Sequence, residues 1–105
     1  MGRALKNRSK GVNIIITDHA KFEAGRRNIP EELIRSVIES PQQKLPSKNG
    51  RVIVQSKYND EGEGKEMILR VVGTASAGEF KVITVYKTSK IDKYWKKGGQ
   101  DEGNI

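Results

Sequence analysis

Three strand-like segments joined by two short glycine-bearing turns leave the second half of this chain one simple way to fold. Arg51–Tyr58, Glu66–Ala75 and Phe80–Thr88 are rich in β-branched and aromatic residues and alternate in polarity. The separators, Asp60-Glu61-Gly62-Glu63-Gly64 and Ala77-Gly78-Glu79, are short enough for hairpins and poor in apolar residues. The expected unit is an antiparallel meander with the middle segment at its centre. Alternation then sorts the side chains onto two faces. Val52, Val54, Met67, Leu69, Val71, Ile83 and Val85 fall on one; Gln55, Lys57, Arg70, Thr84 and Tyr86 fall on the other, together with Val82.

The first half reads as a strand and two helices. Val12 to Thr17 is a β-branched run, and Thr17 or Asp18 can cap a helix reaching about Arg27. Pro30-Glu31-Glu32 opens a second helix, with Pro30 at the first helical position and acids at the positive end of the dipole. Leu33, Ile34, Val37 and Ile38 recur at helical spacing, and Ser40-Pro41 stops the run. Residues 41–50 hold Pro41, Pro46 and Asn49-Gly50 and read as a loop; around Tyr94 and Trp95 a short helix or strand end is expected. The predicted fold class is α+β, in the order β-α-α-β-β-β, with two N-terminal helices packed on an antiparallel sheet. Residues 12–97 form a single domain in this reading. Residues 1–11 are a flexible basic arm and 98–105 a disordered tail.

With 105 residues, 34% hydrophobic and 31% charged, the chain has material for one thin core. No apolar run approaches the ~18 residues of a membrane span, and none follows the basic opening segment as in an ordinary signal peptide. Cysteine is absent, so there is neither a disulfide framework nor a thiolate metal site. The cytoplasm suits such a chain, as does an exported effector domain. The net charge is +7 and unevenly spread. Arg35, Lys44, Lys48, Arg51 and Lys57 face Glu39 alone in 33–59, while acids collect in 18–32, in the 60–66 turn and at the C-terminus. Such clustering builds positive potential that attracts phosphates. RNA is the expected partner, with Arg26, Arg27, Lys57 and Lys87 as binding residues. The carboxylates lie in turns and helix openings without metal-ligand spacing, and Gly62-Glu63-Gly64 sits in a hairpin, so no metal or cofactor is expected.

Arg70 and His19 are the candidates for chemistry. Arg70 interrupts Met67-Ile68-Leu69-Arg70-Val71-Val72, the most apolar strand. An arginine there is costly unless it is paired or faces a wet cleft. Either its stem covers apolar surface and its head reaches Glu66 or Glu79, or its guanidinium is fixed to grip a phosphate. His19 is the single imidazole, the one side chain whose ordinary pKa lies near neutrality. A lone histidine is more often structural or exposed than catalytic.

Thr17-x-His19-Ala20, then Arg27-Asn28-Ile29, a second helix, a meander and Val82-Ile83-Thr84-Val85-Tyr86 resemble a family of small domains grouped with RelE- and BrnT-type toxin ribonucleases. The resemblance covers roughly residues 12–88. It implies a RelE-like fold, an active site on the sheet, and a catalytic set of His19, Arg27 or Arg70, Thr84 and Tyr86. A second basic residue is common in that family four positions after the histidine; Glu23 stands there, with Arg26 on nearly the same helix face. The implied activity is metal-independent RNA cleavage by attack of the ribose 2′-OH on the adjacent phosphate. His19 and Tyr86 would then move protons, Thr84 would donate to the phosphate, and Arg70 and Lys57 would stabilise its charge. The implied partners are RNA and an acidic antitoxin or immunity protein. Two other readings fit the same residues: a non-catalytic RNA-binding module, and a basic domain that binds an acidic protein.

Overall fold

The computed structural model describes residues 12–97; the expectations for the arm at 1–11 and the tail at 98–105 lie outside the described residues. The elements are β1 (Asn13–Ile16), α1 (Asp18–Arg26), α2 (Glu31–Glu39), β2 (Gln43–Pro46), a 3-10 turn at Lys48–Gly50, β3 (Val52–Asp60), β4 (Lys65–Ser76), β5 (Glu79–Thr88) and the single-turn helix α3 (Ile91–Tyr94). The strands form one sheet in the order β1-β5-β4-β3-β2. The meander is present as expected, and the fold is α+β. No helix among the described residues is long and apolar enough to cross a membrane.

Two parts of the expected topology are corrected. Among the described residues the sheet has five strands, and it is mixed, because β1 runs parallel to β5 while the other neighbours are antiparallel. The additional strand comes from the segment expected to be a loop. Pro46 is tolerated there because β2 is an edge strand and Pro46 its last residue, where a missing amide removes little. Asn49 and Gly50 take positive φ of 57° and 74°, closing a tight turn in which the Ser47 amide donates to the Arg51 carbonyl at 2.8 Å. The parallel pairing of β1 joins segments 66 residues apart, as in Ile14 beside Phe80, which no local pattern encodes.

Thr17 fastens the helices to the sheet. Its Oγ1 accepts from the Ala20 amide at 3.2 Å, capping α1, and donates to the Val82 carbonyl at 2.8 Å, where β1 gives out beside β5. Thr17, not Asp18, is therefore the cap. Pro30 caps α2 from one position outside the helix, and its carbonyl accepts from the Leu33 and Ile34 amides. Small residues on α1 (Ala20, Ala24) and branched ones on α2 (Ile34, Val37, Ile38) close over Val54, Leu69, Val71, Phe80, Val82 and Val85. We call this the helix face and the opposite one the outer face.

A bulge in β5 revises the sorting of side chains. Gly73 pairs with Val82 and Val72 with Thr84, which leaves Ile83 without a counterpart. Val82, expected outward, is fully buried in the core, and Ile83, expected inward, is outside it. Past the bulge the alternation resumes, so Val85 points to the core while Thr84 and Tyr86 remain on the Arg70 face. Met67 is buried beside Tyr58 but lies outside the main cluster.

Gly73 permits this arrangement, since a Cβ at that position would meet the Phe80 ring and the Lys81 carbonyl oxygen. Gly73→Ala should therefore destabilise by roughly 1–3 kcal/mol, the usual cost of overpacking. Gly25→Ala, in α1 with nothing within 4 Å of the added carbon, should stabilise by about 0.4–1 kcal/mol. Denaturant midpoints of the two variants on opposite sides of wild type are the expected outcome; equal midpoints would show that the Phe80 contact does not constrain the sheet.

Candidate functional site

The outer face is organised around Arg70 in β4, which has β3 on one side and β5 on the other. Although charged, Arg70 is only 7% exposed. Its Nε donates to Gln55 Oε1 at 2.7 Å and its Nη1 to the Tyr86 hydroxyl oxygen at 2.6 Å. Both partners are cross-strand neighbours in register, Gln55 on β3 and Tyr86 on β5. The guanidinium carbon lies 4.4 Å from the centre of the Tyr94 ring and 5.6 Å from that of Tyr86. These two rings meet edge to face at 6.4 Å. Neither Glu66 nor Glu79 reaches Arg70; among the described residues no carboxylate pairs with it, and its Nη2 donates to no group.

The hydrogen bonds continue outward from Arg70 into the segment after β5. Gln55, fully buried, donates through Nε2 to Gln43 Oε1 at 2.8 Å and to the Tyr94 carbonyl at 3.1 Å. Gln43 donates to the Lys96 carbonyl at 2.6 Å and accepts from the Lys96 amide at 3.1 Å. A continuous chain therefore runs Lys96–Gln43–Gln55–Arg70–Tyr86. Alternation placed Gln55 beside Arg70, but Gln43 was missed, because its segment read as a loop and the strand that orients it is formed by pairing with β3. Lys57, two residues from Gln55 on the same face, sits 4.5 Å from the Trp95 ring centre, and Lys93 sits 5.2 Å from that of Tyr94. Thr84 is half-buried on this face opposite Val72. The structure thus brings together Arg70, Tyr86 and Lys57, with Thr84 one alternation along from Tyr86.

His19 stands elsewhere. It is exposed on the first turn of α1, whose neighbouring Ala20 and Ala24 pack on the helix face. Among the described residues no hydrogen bond or ion pair joins it to Arg70, Thr84 or Tyr86. One turn on, Glu23 binds Arg26 at 2.9 Å and Arg27 at 2.7 Å. The hydrogen bond from Arg26, reinforced by the charges of Arg26, Arg27 and His19, holds the Glu23 carboxyl below its usual range. Arg27 also donates to the Val85 carbonyl at 3.1 Å, tying the end of α1 to the stretch of β5 that β1 does not cover. Glu23 thus engages Arg26 in the last turn of α1 and Arg27 at its C-cap.

Lys87 is engaged as well, and on the helix side of β5, since it alternates with Tyr86. Its ammonium lies 2.9 Å from Asp60 Oδ2, which also accepts from the Tyr58 hydroxyl at 2.7 Å. The Glu63 amide donates to Asp60 Oδ1 at 2.9 Å. The hydrogen bonds from Tyr58 and Lys87 lead in bringing the Asp60 carboxyl down to about 2. Burial first, and Asp60 second, push the Tyr58 hydroxyl above its ordinary range. Among the described residues Arg70 and Lys57 lie side by side on the outer face with no carboxylate paired to either.

The depressed carboxyl gives a pH signature. Asp60 titrates at about 2 in the folded chain and near ~3.9 unfolded, so its contribution is complete above roughly pH 4–5 and lost as pH falls through about 2. Asp60→Asn should melt below wild type at neutral pH, and the gap should close on acidification across that window. A gap that stays constant down to pH ~2 would show that ionised Asp60 does not stabilise the fold.

No protein-family model, no curated protein and no solved structure matches this chain.

Proposed function

We propose that this protein is an RNA-binding domain that holds the phosphodiester backbone on its outer sheet face, with Arg70 as the central cation. The observation that carries this reading is the state of Arg70: a buried guanidinium to which, among the described residues, no carboxylate is paired and whose Nη2 has no partner. Isolated buried charges are strongly unfavourable, and ring contacts with Tyr94 and Tyr86 offset only part of that cost. A phosphate oxygen supplies the missing charge and matches the fork geometry of arginine. Arg70 donates to Tyr86 rather than accepting from it, so the phenolic hydrogen remains available for a second phosphate oxygen. Lys57, with the exposed Lys90 and Lys97 on either side of the segment 91–96, extends the positive field.

A sheet face suits single-stranded RNA better than duplex DNA, because it offers no helix to enter a major groove. The resemblance to RelE- and BrnT-type ribonucleases implies the same layout, two helices backing a sheet whose other face meets RNA. It also raises the cleavage reading, which the Arg70–Tyr86 hydrogen bond favours. In that reaction the 2′-oxygen forms a bond to phosphorus and the bond to the 5′-oxygen breaks, leaving a 2′,3′-cyclic phosphate. Arg70 would stabilise the added charge, and Tyr86 would give its proton to the departing 5′-oxygen, while the 2′-OH proton passes to a base. His19, the acid or base drawn from sequence, sits on α1, which packs on the other side of the sheet, so its role is the part most exposed to test.

Labelled single-stranded RNA incubated with the protein in EDTA separates the readings. Binding should weaken at least tenfold between about 50 and 200 mM salt, as counterion release requires. Arg70→Gln and Lys57→Gln should lose affinity, while Arg26→Gln and His19→Ala should retain it. Affinity flat in salt, or unchanged in Arg70→Gln, would remove this face as the RNA site. If RNA is also cut, cyclic ends lost in Arg70→Gln and Tyr86→Phe but kept in His19→Ala put the chemistry on the Arg70 face, with Tyr86 as the proton donor. Cleavage lost to a folded His19→Ala by about a hundredfold would restore His19 as the acid or base.

A further inference from the structure

Arg70 is the natural phosphate grip of the outer face, yet the ring of Tyr94 already lies over it, at 4.4 Å from the guanidinium carbon. We propose that the segment Ile91–Lys96 is an autoinhibitory strap that occupies the RNA site, and that single-stranded RNA binds by displacing it. The inference rests on the RNA-binding reading above and deepens it. The strap offers Arg70 and its neighbours what a nucleotide would offer. Its carbonyl oxygens at Tyr94 and Lys96 accept from the Gln55 and Gln43 amides, and the Tyr94 ring stacks near the cation as a base would. The Trp95 ring lies on Lys57 in the same manner.

The strap is also weakly held compared with what it covers. None of its residues is buried, whereas Arg70, Gln55 and Ile68 beneath the outer face are. Its helix is a single turn, and its side-chain anchors are the two glutamines and the ring contacts. Apart from the edge-to-face contact of Tyr94 with Tyr86, these are polar or cation–ring contacts that water or RNA can replace, and the main core lies on the opposite face. A segment of this kind lies at the low-stability end of a fold, where local opening is easiest. While it is closed, the apparent affinity for RNA is reduced by the fraction of molecules in which it is open.

The test uses the full chain and single-stranded RNA at fixed salt. Gln43→Ala, which removes both contacts to Lys96, and Tyr94→Ala, which removes the ring over Arg70, should each bind RNA about fivefold or more tightly than wild type. In wild type, RNA should speed hydrogen exchange at the Lys96 amide, which now donates to Gln43. Tighter binding by both variants together with faster exchange supports the strap. Equal or weaker binding by the folded variants, or an Lys96 amide that RNA protects, shows that Tyr94 and its neighbours are part of the RNA contact rather than its competitor; the RNA-binding reading then stands and the strap falls. If wild type and both variants all fail to bind RNA, the RNA-binding reading falls and the strap with it.

Discussion

The hydrogen-bonded position of Arg70 in the central strand decides what the outer face of this sheet can be. A guanidinium at that depth needs partners within the sheet, and register supplies one from each neighbouring strand, Gln55 from β3 and Tyr86 from β5. Satisfying Arg70 orders Gln55, whose amide group then orders Gln43 and the Tyr94 carbonyl. One buried cation thereby organises a polar layer from β5 across to the edge strand β2 and into the chain beyond β5. The layer gives Gln55 and Gln43 partners, but among the described residues it brings no carboxylate to Arg70.

The helix face follows different physics. There the burial is apolar, and the polar detail is confined to junctions: Thr17 joining α1 to Val82, and Arg27 joining its other end to Val85. The bulge at Ile83 reconciles the two faces, since it lets Val82 and Val85 both enter the core while Thr84 and Tyr86 stay beside Arg70. Without it, β5 could not serve both layers along its whole length.

Charge is partitioned in the same way. Glu23 holds Arg26 and Arg27 on α1, and Asp60 holds Lys87 and Tyr58 at the end of the sheet. Acids from the clusters at 18–32 and 60–66 thus engage basic side chains on the helix side. Arg70 and Lys57, by contrast, have no carboxylate paired to them among the described residues.

Much of the site was legible in the residues. Alternation by itself put Gln55, Lys57, Arg70, Thr84 and Tyr86 on one face, because hairpins as short as 60–64 and 77–79 leave little freedom in register. Helical spacing likewise identified Ile34, Val37 and Ile38 as a buried stripe. Local periodicity carries this information since it reports which side of an element a residue occupies. It does not report which elements meet. The parallel pairing of β1 with β5, the recruitment of Gln43–Pro46 as a strand, the break in alternation at Ile83, the placing of His19 across the sheet from Arg70, and the docking of Tyr94 over that arginine all depend on contacts between distant segments. These were decided by tertiary structure, where backbone hydrogen bonds and a buried charge must find partners wherever the packed chain provides them.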